Sequence, residues 1–340
     1  MRFSIGVSKI TPPHLPNIVY RSRLLRLLEN NQDKQLILIL GQPAQGKSTL
    51  VASYVKRSKI PSAWMNLDRD DGDPEKLFHL IVYSLQYALK EINFDDLLLS
   101  PMSARESGFE NFLFRERSQS IFERITNPIY IVMDGLDQVP SNAPAFEFLH
   151  ALLENAPPII HFIIVSREIP PQSLEFQNRK MRQEALLLKN EDLAFTQEEI
   201  HDFFRETRNS PYPREQVKKI HLATQGWTGG VILLAESLSR VPEPGREKSI
   251  SQDLPDHFEK EVFQYFGQEI FSSQPQPVQD FLVKSSIIDV IEPNFIRDLI
   301  GAENAEDILR EHVRKNLFVQ SFYQEKKAGC FNITGNSGLS

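Results

Sequence analysis

Short apolar segments alternate with longer amphipathic segments between about residue 14 and residue 190. The short segments are rich in β-branched residues. They have the length and the continuous apolar character of strands buried on both faces of a parallel sheet. Five segments fit this description: Leu36–Leu40, Ala63–Leu67, Ile129–Met133, Phe162–Val165 and Ala185–Leu188. The alternation of buried strands with helices predicts an α/β domain.

Two of the helical segments begin with clear start signals. Asp73 and Pro74 fit an N-cap and a first helical position, and apolar residues follow them at helical spacing. After the last predicted strand the pattern is helical, and Thr196 with Glu199 forms a T-x-x-E capping box. Further helices are predicted over about residues 213–224 and from about residue 228 onward.

The last third of the chain changes character again. Residues 240–256 contain three prolines and a glycine among mixed charges, which is typical of a linker. Helical patterns follow from residue 257 to about residue 320. Two strand-like segments, residues 317–323 and 330–334, then flank a charged turn. Helices followed by a hairpin predict a winged helix.

The composition narrows the class of protein. Of the 340 residues, 41% are hydrophobic and 24% are charged, which disfavours intrinsic disorder. The 38 basic and 45 acidic residues give a net charge of −7, which disfavours a generally basic nucleic-acid-binding protein. The single cysteine, Cys330, cannot form an internal disulfide. The first ten residues lack the apolar run of a signal peptide, and no stretch approaches the roughly 20 apolar residues needed to span a bilayer. We therefore expect a soluble cytoplasmic protein with no membrane partner.

A phosphate-binding motif follows the first predicted strand. The pattern G-x-x-x-x-G-K-[ST] is matched by Gly41, Gln42, Pro43, Ala44, Gln45, Gly46, Lys47 and Ser48. A helical pattern opens at Ser48 and Thr49, so the motif lies between a strand and a helix, as its mechanism requires. In such a loop the backbone amides wrap a β-phosphate, Lys47 bridges the β- and γ-phosphates, and Ser48 ligates Mg²⁺.

Three charged residues follow later strands. Asp134 directly follows the third apolar segment and, paired with the P-loop, is the favoured Walker B aspartate that holds Mg²⁺. Asp137 either orients or deprotonates the attacking water or stabilises a turn. Arg167 follows the fourth strand, where its guanidinium either reaches a γ-phosphate or lies on the surface.

Together these motifs resemble the STAND class of P-loop NTPases, the signal transduction ATPases with numerous domains. The segment from Met133 to Asp137 is similar to the D-G-x-D Walker B of NACHT proteins. Other segments are similar to the large ATP-binding regulators of the LuxR family, of the maltose-activator type: Val19–Leu24, Ala63–Asp68 with Asp73-Pro74, Ser166-Arg167, Leu193–Thr196 with Glu199, Gly226-Trp227 and Phe281–Asp289. The resemblance spans nearly the whole chain, and the combination of segments is its specific feature.

The resemblance implies an ASCE-type parallel sheet of order 5-1-4-3-2, followed by a small helical domain and a winged helix. We assign these three domains to residues 1–193, 194–250 and 251–340. The implied ligands are ATP or ADP with Mg²⁺. Arg167 is then sensor 1, and the residues near the nucleotide include Val19, Tyr20, Arg21, Thr49 and Thr228.

Members of this class act as switches. The resemblance implies an inactive form with ADP, and exchange for ATP together with an inducer opens the protein so that it self-associates. The inducer-sensing and effector domains are then expected outside this chain.

Three positions depart from the family pattern. Gln138 replaces a glutamate that often follows the NACHT aspartate, which predicts slow hydrolysis. Thr228 replaces the proline that usually follows the Gly-Trp pair and packs near the adenine. Cys330-Phe331-Asn332 occupies the place expected for the winged-helix histidine that contacts the ADP β-phosphate, so we expect weaker locking by ADP or locking through other groups.

A small-molecule kinase and a DNA-binding regulator are the two alternatives to a switch. A P-loop kinase for a small molecule needs an arginine-rich lid, whereas the residues after 195 have a helical packing pattern. A DNA-binding regulator acting through the winged helix needs a basic surface. Residues 278–340 contain seven Lys or Arg and nine Asp or Glu, so we expect no direct nucleic-acid contact from this region.

Overall fold

The computed structural model describes two compact units. The described residues are 5–15, 18–99, 110–171, 174 and 176–240, with 272, 276, 279–280, 283, 290–291, 319–324 and 327–333. Unit 1 comprises Met1–Pro16, Tyr20–Gly41 and Lys47–Leu193, and unit 2 comprises Asn17–Val19, Gln42–Gly46 and Ala194–Ser340. The three-domain division with boundaries after residues 193 and 250 stays a prediction, since residues 241–271 lie outside the described residues.

Unit 1 contains the predicted parallel sheet. Its strands are β1 (Leu36–Leu40), β2 (Ser62–Asn66), β3 (Ile129–Asp134), β4 (Ile160–Ser166) and β5 (Ala185–Leu188). Their order is β2-β3-β4-β1-β5 and all pairings are parallel. The predicted ASCE order 5-1-4-3-2 is therefore confirmed, and each predicted strand agrees with the observed one to within two residues.

Helices cover both faces of this sheet because successive side chains of each strand point to opposite faces. In β1, Leu36, Leu38 and Leu40 enter one apolar core and Ile37 and Ile39 enter the other. The helices of unit 1 are α1 (Ser22–Glu29), α2 (Lys47–Ser58), α3 (Pro74–Ala88), α4 (Asp95–Leu99), α5 (Glu110–Phe122), α6 (Ala145–Asn155), α7 (Phe176–Met181) and α8 (Asn190–Leu193). Helices α1 and α2 pack in the second core, and α3, α5 and α6 pack in the first.

The start of α3 is fixed as its sequence predicts. The Asp73 carboxylate accepts hydrogen bonds from the backbone N–H groups of Glu75 (2.9 Å) and Lys76 (3.1 Å). Pro74 occupies the first helical position, where its missing N–H leaves no partner unsatisfied.

Between residues 194 and 240, the described part of unit 2 forms three helices around a small apolar core. They are α9 (Gln197–Thr207), α10 (Arg214–Thr224) and α11 (Thr228–Ser239). The predicted capping box at the start of α9 is present, because Thr196 and Glu199 exchange side-chain and backbone hydrogen bonds. Gly226 ends the turn between α10 and α11 with φ of 71°, and an added Cβ there would lie 2.5 Å from the Phe195 carbonyl oxygen.

The described residues from 290 onward form an antiparallel sheet. Its strands are β6 (Val290–Ile291), β7 (Val319–Gln324) and β8 (Lys327–Ile333), in the order β6-β8-β7. Strands β7 and β8 are the predicted hairpin. Residues 241–256 of the predicted linker lie outside the described residues, as do nearly all of the helices predicted after residue 257. Within the described part of the chain, every helix is too short or too polar to cross a membrane.

Candidate nucleotide-binding site

The carboxyl ends of three neighbouring strands of unit 1 are tied together. After β1, the Gly41 N–H donates to the Ser166 carbonyl (3.2 Å) at the end of β4. After β3, the Gly135 N–H donates to the Val165 carbonyl (3.0 Å). Ligands of open α/β sheets bind at this edge, and the charged residues predicted from the sequence lie there.

Lys47 is the first residue of α2 and is buried, with 9% of its surface exposed. Its Nζ donates a hydrogen bond to the Gly41 carbonyl (2.6 Å). Burial, followed by the positive charge of Arg167, lowers the pKa of Lys47 from 10.5 to about 8, against the opposing charges of Asp137 and Asp134. Lys47 is thus a partly desolvated cation near two carboxylates and a guanidinium, and an anionic ligand would favour its charged form.

The two residues predicted to hold Mg²⁺ contact each other. The Ser48 hydroxyl, in the first turn of α2, hydrogen-bonds with the Asp134 carboxylate at the end of β3. The pKa of Asp134 is raised by burial, which outweighs the opposing effects of the Ser48 hydrogen bond and the Lys47 charge. A hydroxyl and a carboxylate are hard oxygen donors of the kind that Mg²⁺ takes alongside phosphate oxygens and water. The residues therefore fit the ion that the sequence predicts.

Asp137 is bound to Arg167. Its Oδ1 accepts a hydrogen bond from the Arg167 backbone N–H (2.8 Å), and its Oδ2 lies 3.7 Å from the Arg167 Nε. Oδ2 also accepts from the Gln138 side-chain amide (2.8 Å). The Asp137 side chain is 6% exposed, whereas that of Arg167 is 46% exposed. Of the two roles left open by the sequence, these contacts favour a turn-stabilising Asp137 that also positions Arg167.

The middle of the phosphate loop, Gln42–Gly46, belongs to unit 2. Ala44 and Gly46 have positive φ angles of 56° and 77°. Within the same unit, the Trp227 indole N–H donates to the Pro43 carbonyl (3.0 Å) and the Thr228 hydroxyl donates to the Gln45 carbonyl (3.4 Å). Of the residues predicted to lie near nucleotide, Thr228 thus contacts the loop that the motif identifies.

The remaining predicted contacts are placed as follows. Val19 is half-buried against the helical core of unit 2. In unit 1, Tyr20 is 54% exposed, while Arg21 is buried at the N-terminal end of α1. Thr49 lies in the first turn of α2, where its carbonyl accepts from the Ser53 hydroxyl (2.7 Å). The roles of these four residues toward a nucleotide stay predictions.

Trp227 is the contact that sequence reasoning missed. The Gly226-Trp227 pair stands out only through the family resemblance, and Trp227 lies 184 residues from Pro43 in the sequence. No local pattern predicts a hydrogen bond over that separation. The one available signal is the two glycines after Trp227, since adjacent glycines at the start of a helix indicate a close approach.

Two family models match parts of the chain. The model of the MalT winged helix domain matches residues 267–331, and that of the nephrocystin 3 N-terminal region matches residues 17–167. The HTH-type transcriptional regulator MalT of Yersinia pestis (strain Pestoides F) is 27% identical over 328 residues, and that of Serratia proteamaculans (strain 568) is 26% identical over the same length. Both alignments cover 96% of this chain but only 35% of the relative.

A solved structure shares the architecture. The Walker-type ATPase of Pyrococcus abyssi superposes with a TM-score of 0.57 at 18% identity, covering 93% of each chain. This likeness shows the fold. The strand order and the phosphate loop agree with this fold, and the match of residues 267–331 to the winged-helix model supports the resemblance to MalT.

Proposed function

We propose that this chain is the nucleotide-binding core of a signal-transduction switch that binds ATP or ADP with Mg²⁺ and hydrolyses ATP slowly. The observation that carries the proposal is the convergence of Lys47, Ser48, Asp134 and Arg167 at one edge of the parallel sheet. A lysine, a hydroxyl with a carboxylate, and an arginine are the groups with which P-loop sites hold a nucleoside triphosphate.

Each group has a separate part in binding. The amides of Gly41–Gly46 face the β-phosphate, and Lys47 binds the β- and γ-phosphate oxygens. Ser48 and Asp134 hold Mg²⁺, which neutralises phosphate charge when it is bound. The hydrogen bond from Lys47 to the Gly41 carbonyl supports this assignment, because it holds Nζ at the carboxyl end of β1, where the motif begins.

The surroundings of Asp137 support slow turnover. Both of its oxygens accept hydrogen bonds from neighbouring groups, one from Arg167 and one from Gln138. The neutral amide of Gln138 cannot accept a proton from water as a carboxylate does. General-base assistance to the attacking water is therefore weak, and the ATP-bound form persists long enough to act as a signal.

Arg167 distinguishes ATP from ADP in this proposal. A ligand shifts a conformational equilibrium only through its different affinity for the two states, so the γ-phosphate needs a partner that ADP does not engage. The half-exposed guanidinium of Arg167, which adds to the positive charge around Lys47, supplies that partner. ADP favours a resting form, and ATP favours an open form that self-associates.

Transcription control is the second candidate, as the output of a longer protein. The similar proteins from Yersinia and Serratia are named as HTH-type transcriptional regulators, and this chain spans 35% of their length. Residues 278–340 carry two more acidic than basic residues, nine against seven. This net negative charge disfavours contact with a phosphate backbone. We therefore assign any DNA contact, inducer sensing and effector output to regions outside this chain.

The function is tested by nucleotide content and affinity. Nucleotide extracted from the purified protein is separated by chromatography, and ATP and ADP affinities are measured by calorimetry with Mg²⁺. Lys47→Ala removes a charge-assisted contact and weakens ATP binding about 10- to 150-fold. The matched control is Lys56→Ala, an exposed lysine on the same helix. Unchanged ATP affinity in Lys47→Ala contradicts the phosphate-loop assignment. Transfer of phosphate to a small acceptor in a screen favours the kinase alternative.

A further inference from the structure

The start of α11 makes two hydrogen bonds to the middle of the phosphate loop, inside unit 2. The Trp227 indole N–H donates to the Pro43 carbonyl at 3.0 Å, and the Thr228 hydroxyl donates to the Gln45 carbonyl at 3.4 Å. Thr228 is 8% exposed and Trp227 is half-buried. Both donors bind carbonyl oxygens, so each lies on the side of its peptide unit opposite to the N–H of that unit.

Two glycines allow this approach. A Cβ at Gly229 would lie 2.5 Å from Trp227 Cζ2 and 2.8 Å from the Ala44 Cβ. A Cβ at Gly230 would lie 2.8 Å from Trp227 Cε3. The indole ring thus lies directly against the first turn of α11, and the loop lies directly against Gly229. The contact is a close-packed one and depends on the absence of side chains at both positions.

The geometry of the peptide unit connects these carbonyls to the phosphate site. A trans peptide is planar, and its C=O and N–H point in opposite directions. The Pro43 carbonyl shares a plane with the Ala44 N–H, and the Gln45 carbonyl shares one with the Gly46 N–H. A donor that holds either carbonyl outward therefore holds the following N–H toward the inside of the loop.

Ala44 and Gly46 are also the two loop residues with positive φ. Alternation of left-handed with other conformations makes successive amides converge into an anion-binding nest. For Ala44 this conformation is unfavourable, because its Cβ crowds the backbone. The loop accordingly needs external contacts to keep this arrangement when no phosphate holds it.

We propose that Trp227 is a positioning residue for phosphate binding. Its indole N–H fixes the peptide plane between Pro43 and Ala44, and Thr228 assists at the plane between Gln45 and Gly46. This inference rests on the proposed nucleotide-binding function. The indole N–H of Trp227 positions amides that bind the phosphates common to ATP and ADP, whereas Arg167 binds the γ-phosphate. Loss of the Trp227 donor therefore lowers the affinity for both nucleotides by the same factor.

The test compares variants that remove a donor with variants that keep the shape. Trp227→Phe removes the indole N–H and keeps an aromatic ring, and Thr228→Val removes the hydroxyl at nearly constant volume. We expect Trp227→Phe to lower the affinities for ATP and for ADP about three- to tenfold each, so that the ratio of the two affinities is unchanged. Thr228→Val has a smaller effect in the same direction, and Thr228→Ser restores affinity relative to Thr228→Val because it keeps the hydroxyl.

Trp64→Phe is the matched control and also supplies a spectroscopic readout. Trp64 is the other tryptophan; it is 1% exposed in unit 1, and its indole N–H donates to Asn66 Oδ1 (2.9 Å). Its replacement leaves Trp227 as the only tryptophan and is expected to keep wild-type affinity. In this variant, ADP or ATP binding changes the emission of Trp227, because ligand binding tightens the loop to which the indole is bonded.

The outcomes separate this inference from the proposed function. If the wild-type chain binds neither ATP nor ADP, the proposed function is wrong and the inference falls with it. If the wild-type chain binds both nucleotides and Trp227→Phe and Thr228→Val bind them equally well, the positioning role is wrong and the function stands. If Trp227→Phe does not fold, Thr228→Val and the emission of Trp227 decide. Wild-type affinity in Thr228→Val, together with Trp227 emission in Trp64→Phe that does not change when nucleotide binds, overturns the proposal.

Discussion

At the scale of single residues, the ionisation of Lys47 gives the site a measurable property. Burial and the nearby Arg167 lower the pKa of Lys47 to about 8. Below about pH 8 the side chain is mostly charged, and above it the side chain is mostly neutral. A bound polyphosphate stabilises the ammonium and raises this pKa again, so nucleotide binding above pH 8 is coupled to proton uptake.

We expect this uptake to exceed about half a proton per nucleotide near pH 8.5 and to be small near pH 6.5. Because the bound state holds the extra proton, affinity falls as the pH rises above about 8. Calorimetry in two buffers of different ionisation enthalpy measures the uptake directly. Lys47→Ala abolishes the difference in proton uptake between the two pH values, whereas Lys56→Ala retains it. Equal uptake in wild type and Lys47→Ala contradicts the assignment.

Asp137 and Asp134 have different expected effects. Asp137→Asn keeps an acceptor for the Arg167 N–H but removes the charge beside its guanidinium and places an amide against Gln138. We expect Mg²⁺-dependent ATP binding to persist and turnover to fall about 10- to 100-fold through misplacement of Arg167. Asp134→Ala weakens both binding and turnover. Single-turnover kinetics with calorimetry separates the two, and unchanged turnover in Asp137→Asn removes Asp137 from the mechanism.

The site residues that belong to a local sequence pattern were predictable. Lys47 and Ser48 belong to a motif of fixed spacing, and Asp134 ends a continuous apolar strand. The partner of Asp137 was not predictable, because Arg167 follows it by 30 residues and reaches it only through the pairing of β3 with β4. Trp227 was missed for the same reason, at a larger separation.

At the scale of elements, the turn before α11 depends on one glycine. Gly226 has φ of 71°, and an added Cβ would lie 2.5 Å from the carbonyl oxygen and 3.0 Å from the amide nitrogen of Phe195. The Phe195 N–H also donates to the Gly226 carbonyl (2.7 Å). A side chain at this position therefore meets both backbone strain and a backbone clash that no rotamer relieves.

Gly226→Ala is expected to lower the free energy of unfolding by about 2 kcal/mol or more, measured by urea titration. Gly6→Ala is the matched control, because its added Cβ meets nothing closer than 3.7 Å and its φ is −65°. If the two variants are equally stable, the tight turn does not support α11.

The elements that a local sequence pattern marks, namely apolar strands and capped helix starts, were well predicted. The five strands are mostly buried and largely apolar, and the caps at Asp73 and Thr196 mark helix starts. Helix α5, Glu110–Phe122, was not predicted, because charged residues interrupt its apolar positions. The assignment of Gln42–Gly46 to unit 2 could not be predicted either, since it follows from long-range contacts.

At the scale of the whole molecule, the switch depends on Arg167. Arg167→Ala removes the group assigned to the γ-phosphate and leaves Lys47, Ser48 and Asp134 in place. We expect ADP affinity within about twofold of wild type and ATP affinity reduced to the level of ADP. Calorimetry with both nucleotides measures this ratio. An ATP preference that persists in Arg167→Ala assigns discrimination to another group.

The most direct test of the switch compares the size of the protein in its two nucleotide states. Small-angle scattering and light scattering are recorded on the same chain with ADP and with a non-hydrolysable ATP analogue, both shown by calorimetry to be bound. The switch predicts a compact monomer with ADP and a larger radius with increased self-association with the ATP analogue, a difference that Arg167→Ala abolishes. The same radius and mass with both nucleotides in the wild-type chain would contradict the switch and leave a plain ATPase.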